Sequence, residues 1–157
     1  KILPPRKIPY AVRDQVKQEI DKMVANKIIS PTTEPTPSVS PMVVVWKNKS
    51  PRICLDLTDL NKNIKRRHFP LQTMEEVAAN LHGSKFYTKL DCIKSFWQIP
   101  VSARSSKYLT FSSPWGRYSC LRLPFGLSSA SEVFQSFMTS TLEGIKNVEV
   151  AIDDVLI

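Results

Sequence analysis

Residues 148–157 read VEVAIDDVLI, an apolar, β-branched run broken by two adjacent aspartates and then resumed. Val148 to Ile152 predicts a strand, and Asp153-Asp154 sit where a turn belongs. A second run, FYTKLD at 86–91, alternates Phe86, Thr88 and Leu90 against Tyr87, Lys89 and Asp91, and predicts another strand that ends on a carboxylate. Burying an unpaired carboxylate is costly, so acids at the ends of apolar strands need a cation or the surface. Taken alone, Asp153-Asp154 reads first as a solvated hairpin turn, because aspartate favours turns. Three aspartates set side by side by two strands read differently. Mg²⁺ takes one or two carboxylates and completes its shell with water and phosphate oxygens, and phosphoryl transfer commonly uses two such ions.

Outward from this pair of strands, the chain alternates short elements without regular βαβ order, which predicts an α+β domain. Val12, Val16, Ile20, Met23 and Val24 recur at helical spacing within Tyr10 to Asn26. Seven of the twelve prolines lie in the first 41 residues, so the flanks of this helix are extended or turning, and Ser30 to Pro41 reads as a loop. Met42 to Lys47 and Arg52 to Asp56 form a hairpin pattern around Asn48-Lys49-Ser50-Pro51, a cationic tip. Thr73 to Leu81 predicts a helix with Met74, Val77, Ala78 and Leu81 on one side, ended by His82-Gly83-Ser84. Gln98 to Val101, Tyr108 to Ser112 and Arg117 to Leu121 are strand candidates, with a turn at Pro114-Trp115-Gly116, and Ser129 to Leu142 predicts a second long helix.

The whole chain has 157 residues, 42% apolar and 23% charged, with 22 basic and 14 acidic side chains for a net charge of +8. That is globular composition, enough for one compact domain. The longest apolar run, Met42 to Trp46, is five residues, against the roughly 20 that a bilayer span needs, so no membrane role is expected. Cys54, Cys92 and Cys120 are 38 and 28 residues apart, which fits neither a disulfide framework nor a zinc site and points to reduced, packed thiols. Between Val44 and Pro70, Lys47, Lys49, Arg52, Lys62, Lys65, Arg66 and Arg67 stand against only Asp56 and Asp59. Such a run is either a solvated face or a surface for an anionic partner such as nucleic acid.

Six blocks together resemble one family. PYAVRDQVKQEIDKMVANKIISP (9–31), PRICLDLTDLNKNIKRRHFPL (51–71), MEEVAANLHGSKFYTKLD (74–91), CIKSFWQIPV (92–101), LPFGLSSASEVFQ (123–135) and AIDDVLI (151–157) occur in the order and spacing of the reverse transcriptases of Ty3/gypsy-type LTR retrotransposons. The resemblance implies the fingers and part of the palm of a right-hand polymerase, with an antiparallel palm sheet and packed helices. Fingers would take residues 1–85 with 113–128, and palm 86–112 and 129–157. It implies an RNA-directed DNA polymerase with an RNA template, a DNA primer and dNTP as partners, and two Mg²⁺ ions, or Mn²⁺, as cofactors. The thumb, RNase H and integrase of a retroelement polyprotein would be its neighbours, in a cytoplasmic virus-like particle with access to the nucleus.

The same resemblance implies site residues. Asp91, Asp153 and Asp154 match the catalytic, metal-binding aspartates, with Asp91 and Asp153 as the ligands of both ions and Asp154 in support. Lys47 and Arg52 match the cationic residues that close on the triphosphate, a task that suits the planar donor fork of arginine. Cys92, Phe96, Phe125 and Gly126 match the dNTP pocket, with Phe96 as the steric gate against a 2′-hydroxyl and Gly126 letting backbone approach the nascent base pair. Pro124, Ala151 and Ile152 match template and primer contacts. Ala151 stands where the family has tyrosine, Thr58 where relatives have arginine, and Ser131 where proline is usual. A degenerate or domesticated fragment that binds nucleic acid without turnover is the alternative reading. Because the sequence stops three residues after Asp154, the return strand, primer grip and thumb are expected to be missing, and the isolated chain to be inactive.

Overall fold

The computed structural model describes residues 1–48, 50–66 and 68–157, apart from the side chain of Met74. Lys49 and Arg67 of the basic cluster, and the place of Met74 on its helix face, lie outside the described residues. In chain order a 3₁₀ turn at Tyr10–Val12 leads into α1 (Arg13–Ala25), β1 (Ile29–Pro31), β2 (Ser40–Lys47), β3 (Ser50–Leu55), α2 (Thr58–Asn61), α3 (Met74–Asn80) and β4 (Lys89–Asp91). A second 3₁₀ turn at Ser95–Gln98 precedes α4 (Ala103–Ser106), β5 (Thr110–Ser113), β6 (Gly116–Cys120), α5 (Ala130–Thr141), β7 (Glu149–Ala151) and β8 (Asp154–Leu156). The chain divides into two compact units, Lys1–Ile64 with Trp97–Leu127 and Lys65–Phe96 with Ser128–Ile157. Among the described residues no helix is long and apolar enough to cross a membrane.

The first unit is a five-stranded sheet, ordered β1-β6-β5-β2-β3, with α1 against it. Every pairing is antiparallel except β2 with β5. Val16, Ile20 and Met23 of α1 bury their side chains in a core with Met42, Ile53, Leu55, Phe111 and Tyr118, as the helical spacing predicts. The helix ends in a Schellman motif: Lys27 takes a left-handed φ of 55°, Lys27 N–H bonds Val24 C=O at 3.0 Å, and Ile28 N–H bonds Met23 C=O at 2.9 Å. Phe111 stacks on Tyr118 with ring centroids 5.7 Å apart. Burial pushes the Cys120 thiol up to about 12, so it packs as a small apolar group.

The second unit is built on the antiparallel sheet β4-β8-β7 with α5 and α3 beside it. Thr73 caps α3 in a reciprocal capping box with Glu76, which stops the helix from starting earlier. Arg66 forms an ion pair at 2.7 Å with Glu132, whose side chain is buried on α5. Arg66 is therefore committed inside this unit.

Several expectations are corrected. The supposed loop at 30–41 carries β1, whose register Ile29↔Cys120 gives it a partner far along the chain. Gln98 to Val101 is not a strand: Gln98 closes the 3₁₀ turn, and Pro100, which has no N–H, makes only an isolated bridge to Arg122. The strand at 86–91 is confined to Lys89–Asp91, although Thr88 and Ile157 exchange both backbone bonds at 2.9 Å. The turn lies one residue earlier than read, at Ile152-Asp153, so Asp154 belongs to β8. That strand returns along β4 and β7, and the expectation of a missing return strand fails. Within the first unit, β5 pairs with both β2 and β6.

Gly126 has a structural reason of its own. Its φ is +99°, and a Cβ there would sit 2.5 Å from the Leu55 carbonyl oxygen. Its own carbonyl accepts a bond from Asn61 Nδ2 at 2.9 Å. Gly126→Ala is expected to destabilise the protein by about 1–3 kcal/mol through the backbone conformation alone, measured as a lower denaturant midpoint. An unchanged midpoint would show that the loop re-forms without this close contact.

Candidate active site

In the second unit, register settles where the acids stand. Asp91 and Asp154 are directly opposed across β4 and β8, so their side chains share one face of the sheet. Lys89, two residues before Asp91, lies on that face too, and its ammonium binds the Asp154 carboxylate at 2.7 Å. That bond, and more weakly the charge of Asp91, holds the Lys89 pKa above the ordinary lysine range. Asp153 occupies the turn, its carbonyl accepting from Cys92 N–H at 2.8 Å. The half-buried Cys92 thiol is pushed up first by burial and then by the charges of Asp153, Asp91 and Asp154, so all three carboxylates are felt at one atom.

Among the described residues no three His, Cys, Asp or Glu side chains are gathered closely enough to hold a metal ion. In this arrangement the Asp154 carboxylate is engaged by Lys89, while Asp91 and Asp153 form no ion pair among the described residues. Their chemistry fits a hard divalent cation, which needs few protein carboxylates.

Phe96 follows in the 3₁₀ turn, half-buried, with its ring edge-on to Phe134 of α5 at 6.0 Å. It is both a packed aromatic and a partly open one. Ala151 ends β7 opposite Asp154, and Ile152 sits in the turn with a φ of 57°.

In the first unit, the β2–β3 register pairs Val45 with Arg52 and Lys47 with Ser50. Lys47, Val45 and Arg52 therefore share a face, while Met42, Ile53 and Leu55 are buried in the core. Lys47 and Arg52 are exposed and, among the described residues, make no ion pair. Lys62 is paired with Asp59 at 3.3 Å, so the basic run is less available than its sequence implies. Phe125 packs edge-on to Trp97 at 6.1 Å. Pro124 is buried, lining an apolar crevice with Met23, Ile53 and Phe111.

The sequence model described as "Reverse transcriptase (RNA-dependent DNA polymerase)" matches residues 24–157. The chain belongs to the reverse transcriptase family. This reverse transcriptase segment is 33% identical over 155 residues to the retrovirus-related Pol polyprotein from transposon gypsy of Drosophila melanogaster, covering 93% of the chain and 15% of the relative. It is 32% identical to the enzymatic polyprotein of Cestrum yellow leaf curling virus, covering 98% and 25%, and 31% identical to the transposon Tf2-3 polyprotein of Schizosaccharomyces pombe, covering 99% and 11%. The segment thus spans a quarter or less of these relatives. Prototype foamy virus protease-reverse transcriptase has the same fold, with a TM-score of 0.88 at 24% identity over 100% of this chain and 21% of that one. A foamy viral protease-reverse transcriptase in complex with RNA/DNA hybrid gives 0.86 at 21% identity, covering 98% and 21%.

One residue beside the aspartates escaped the sequence reading, and the sequence left open whether another, Gln135, does more than pack. Lys89 was legible in principle, since a residue two before Asp91 must share its face. Gln135, buried on α5, bonds the β7–β8 turn, and its signal was a polar side chain among the buried positions Ala130, Phe134 and Met138.

Proposed function

We propose that this chain is the nucleotide-binding and catalytic part of an RNA-directed DNA polymerase that joins dNTP to a primer 3′-hydroxyl. The observation that carries this reading is the register that opposes Asp91 to Asp154 with Asp153 in the adjoining turn. Asp91 and Asp153 hold the divalent cations, two Mg²⁺ or Mn²⁺, and Lys89 restrains Asp154 beside them. When bound, such ions lower the pKa of the attacking hydroxyl and neutralise the leaving pyrophosphate. Lys47 and Arg52 bind the triphosphate, Arg52 through paired donors. Phe96 and Cys92 border the sugar, with Phe125 and Gly126 toward the base. Template and primer rest near Ala151 and Ile152. Thumb, RNase H and integrase of a polyprotein are the neighbours proposed for it, within a cytoplasmic virus-like particle.

The test is primer extension by the intact protein on an RNA template with dNTP and Mg²⁺. Extension that stops on chelation supports the reading. Nucleic-acid binding without extension under any divalent cation would instead establish the non-catalytic alternative, which Ala151 in place of tyrosine favours. Arg52→Ala is expected to raise the KM for dNTP about 10- to 100-fold, the scale of a lost charge-assisted hydrogen bond. A KM within a factor of about two of the parent would remove Arg52 from the triphosphate site.

A further inference from the structure

We propose that Gln135 is a positioning residue: a carboxamide clamp that holds the Ile152-Asp153 turn, and through it the Asp153 carboxylate, in place. The consequence for catalysis rests on the polymerase reading above; the clamp itself rests on geometry. The Gln135 side chain is 3% exposed. Its Oε1 accepts from Ile152 N–H at 2.7 Å, and its Nε2 donates to Val150 C=O at 2.8 Å. A carboxamide carries an acceptor and donors on one planar end, so it can grip an N–H and a C=O two residues apart at once.

The turn needs such a grip. Ile152 has a φ of 57°, the left-handed region that a β-branched side chain disfavours and that two-residue hairpins ordinarily fill with Asn or Gly. Isoleucine has no polar atom with which to brace its own backbone. Bracing comes from α5 instead, whose buried Phe134, next to Gln135, also meets Phe96 at 6.0 Å. One rigid helix thus fixes both the turn that bears Asp153 and the aromatic ring five residues after Asp91. Because the clamp is buried, water is a poor substitute for either bond.

In the intact protein, Gln135→Met keeps the length of the side chain and removes both polar contacts. Exchange of the Ile152 amide hydrogen is expected to quicken about tenfold or more. Turnover is expected to fall about 10- to 100-fold while the KM for dNTP moves less than about threefold, since misplacing a ligand costs rate more than binding. In an Ile152→Gly background, where the left-handed turn carries no side-chain strain, the same substitution is expected to cost less than about threefold. Gln135→Asn, one methylene too short, is expected to give the same split and decides the matter if Gln135→Met does not fold. Unchanged Ile152 exchange, or an undiminished loss in the glycine background, overturns the proposal. If the parent protein does not extend a primer yet the exchange contrast is present, the clamp stands and the polymerase reading falls.

Discussion

Asp91→Asn and Asp153→Asn are each expected to lower primer extension by the intact protein on the order of 10²–10³-fold, the scale on which removal of one preorganised electrostatic contact acts. Asparagine preserves shape and removes the negative charge, so a divalent cation loses a hard anionic donor without a change in packing. Asp154→Asn is expected to cost less, about tenfold, because its carboxylate is engaged by Lys89 at 2.7 Å. The ordering is as informative as the magnitudes. Extension within about tenfold of the parent for Asp91→Asn or Asp153→Asn would falsify their role as the metal-holding pair.

The second large effect is in substrate choice. Phe96→Val is expected to reduce the preference for dNTP over rNTP about 10- to 100-fold, because a hydroxyl excluded only by a ring is admitted when the ring is trimmed. The substitution also removes the edge contact to Phe134, so some stability is lost. A general loss of folded enzyme lowers both rates together and leaves their ratio untouched, which makes the ratio of kcat/KM values the quantity to measure. An unchanged ratio would show that Phe96 serves packing alone.

Long amphipathic segments were legible because their signal is local and repeated. α1 and α5 follow the spacing of Val16, Ile20 and Met23 and of Ala130, Phe134 and Met138. The β2–β3 hairpin was likewise visible from its alternating, β-branched pattern. The three-residue β1 was not, since it owes its identity to β6 about ninety residues later and has no periodicity to display. The one-residue error at the aspartate turn has a specific cause. Propensity assigns turns to Asp-Asp in preference to Ile-Asp, and the bond that the Ile152 amide makes to a carboxamide on α5 has no local signal in the sequence. Charge counting failed in a similar way at Arg66, whose partner Glu132 comes from a helix sixty-six positions away.

The parallel pairing of β2 with β5 joins Ser40 to Phe111 and Pro41 to Ser112. On the ribosome, the β2–β3 hairpin emerges well before β5 is made. At roughly 5–20 residues per second, about seventy residues of delay amount to several seconds during which the β2 edge has no mate. An open strand edge with an apolar face invites pairing with another nascent chain. Pro41 does not guard this edge: its carbonyl accepts from Asp56 N–H at 3.0 Å on the β3 side, and its hydrogen-free nitrogen faces the same way. The parallel junction is therefore a late seam of this sheet, and the finished hairpin waits for β5 before Ser40 and Pro41 are covered.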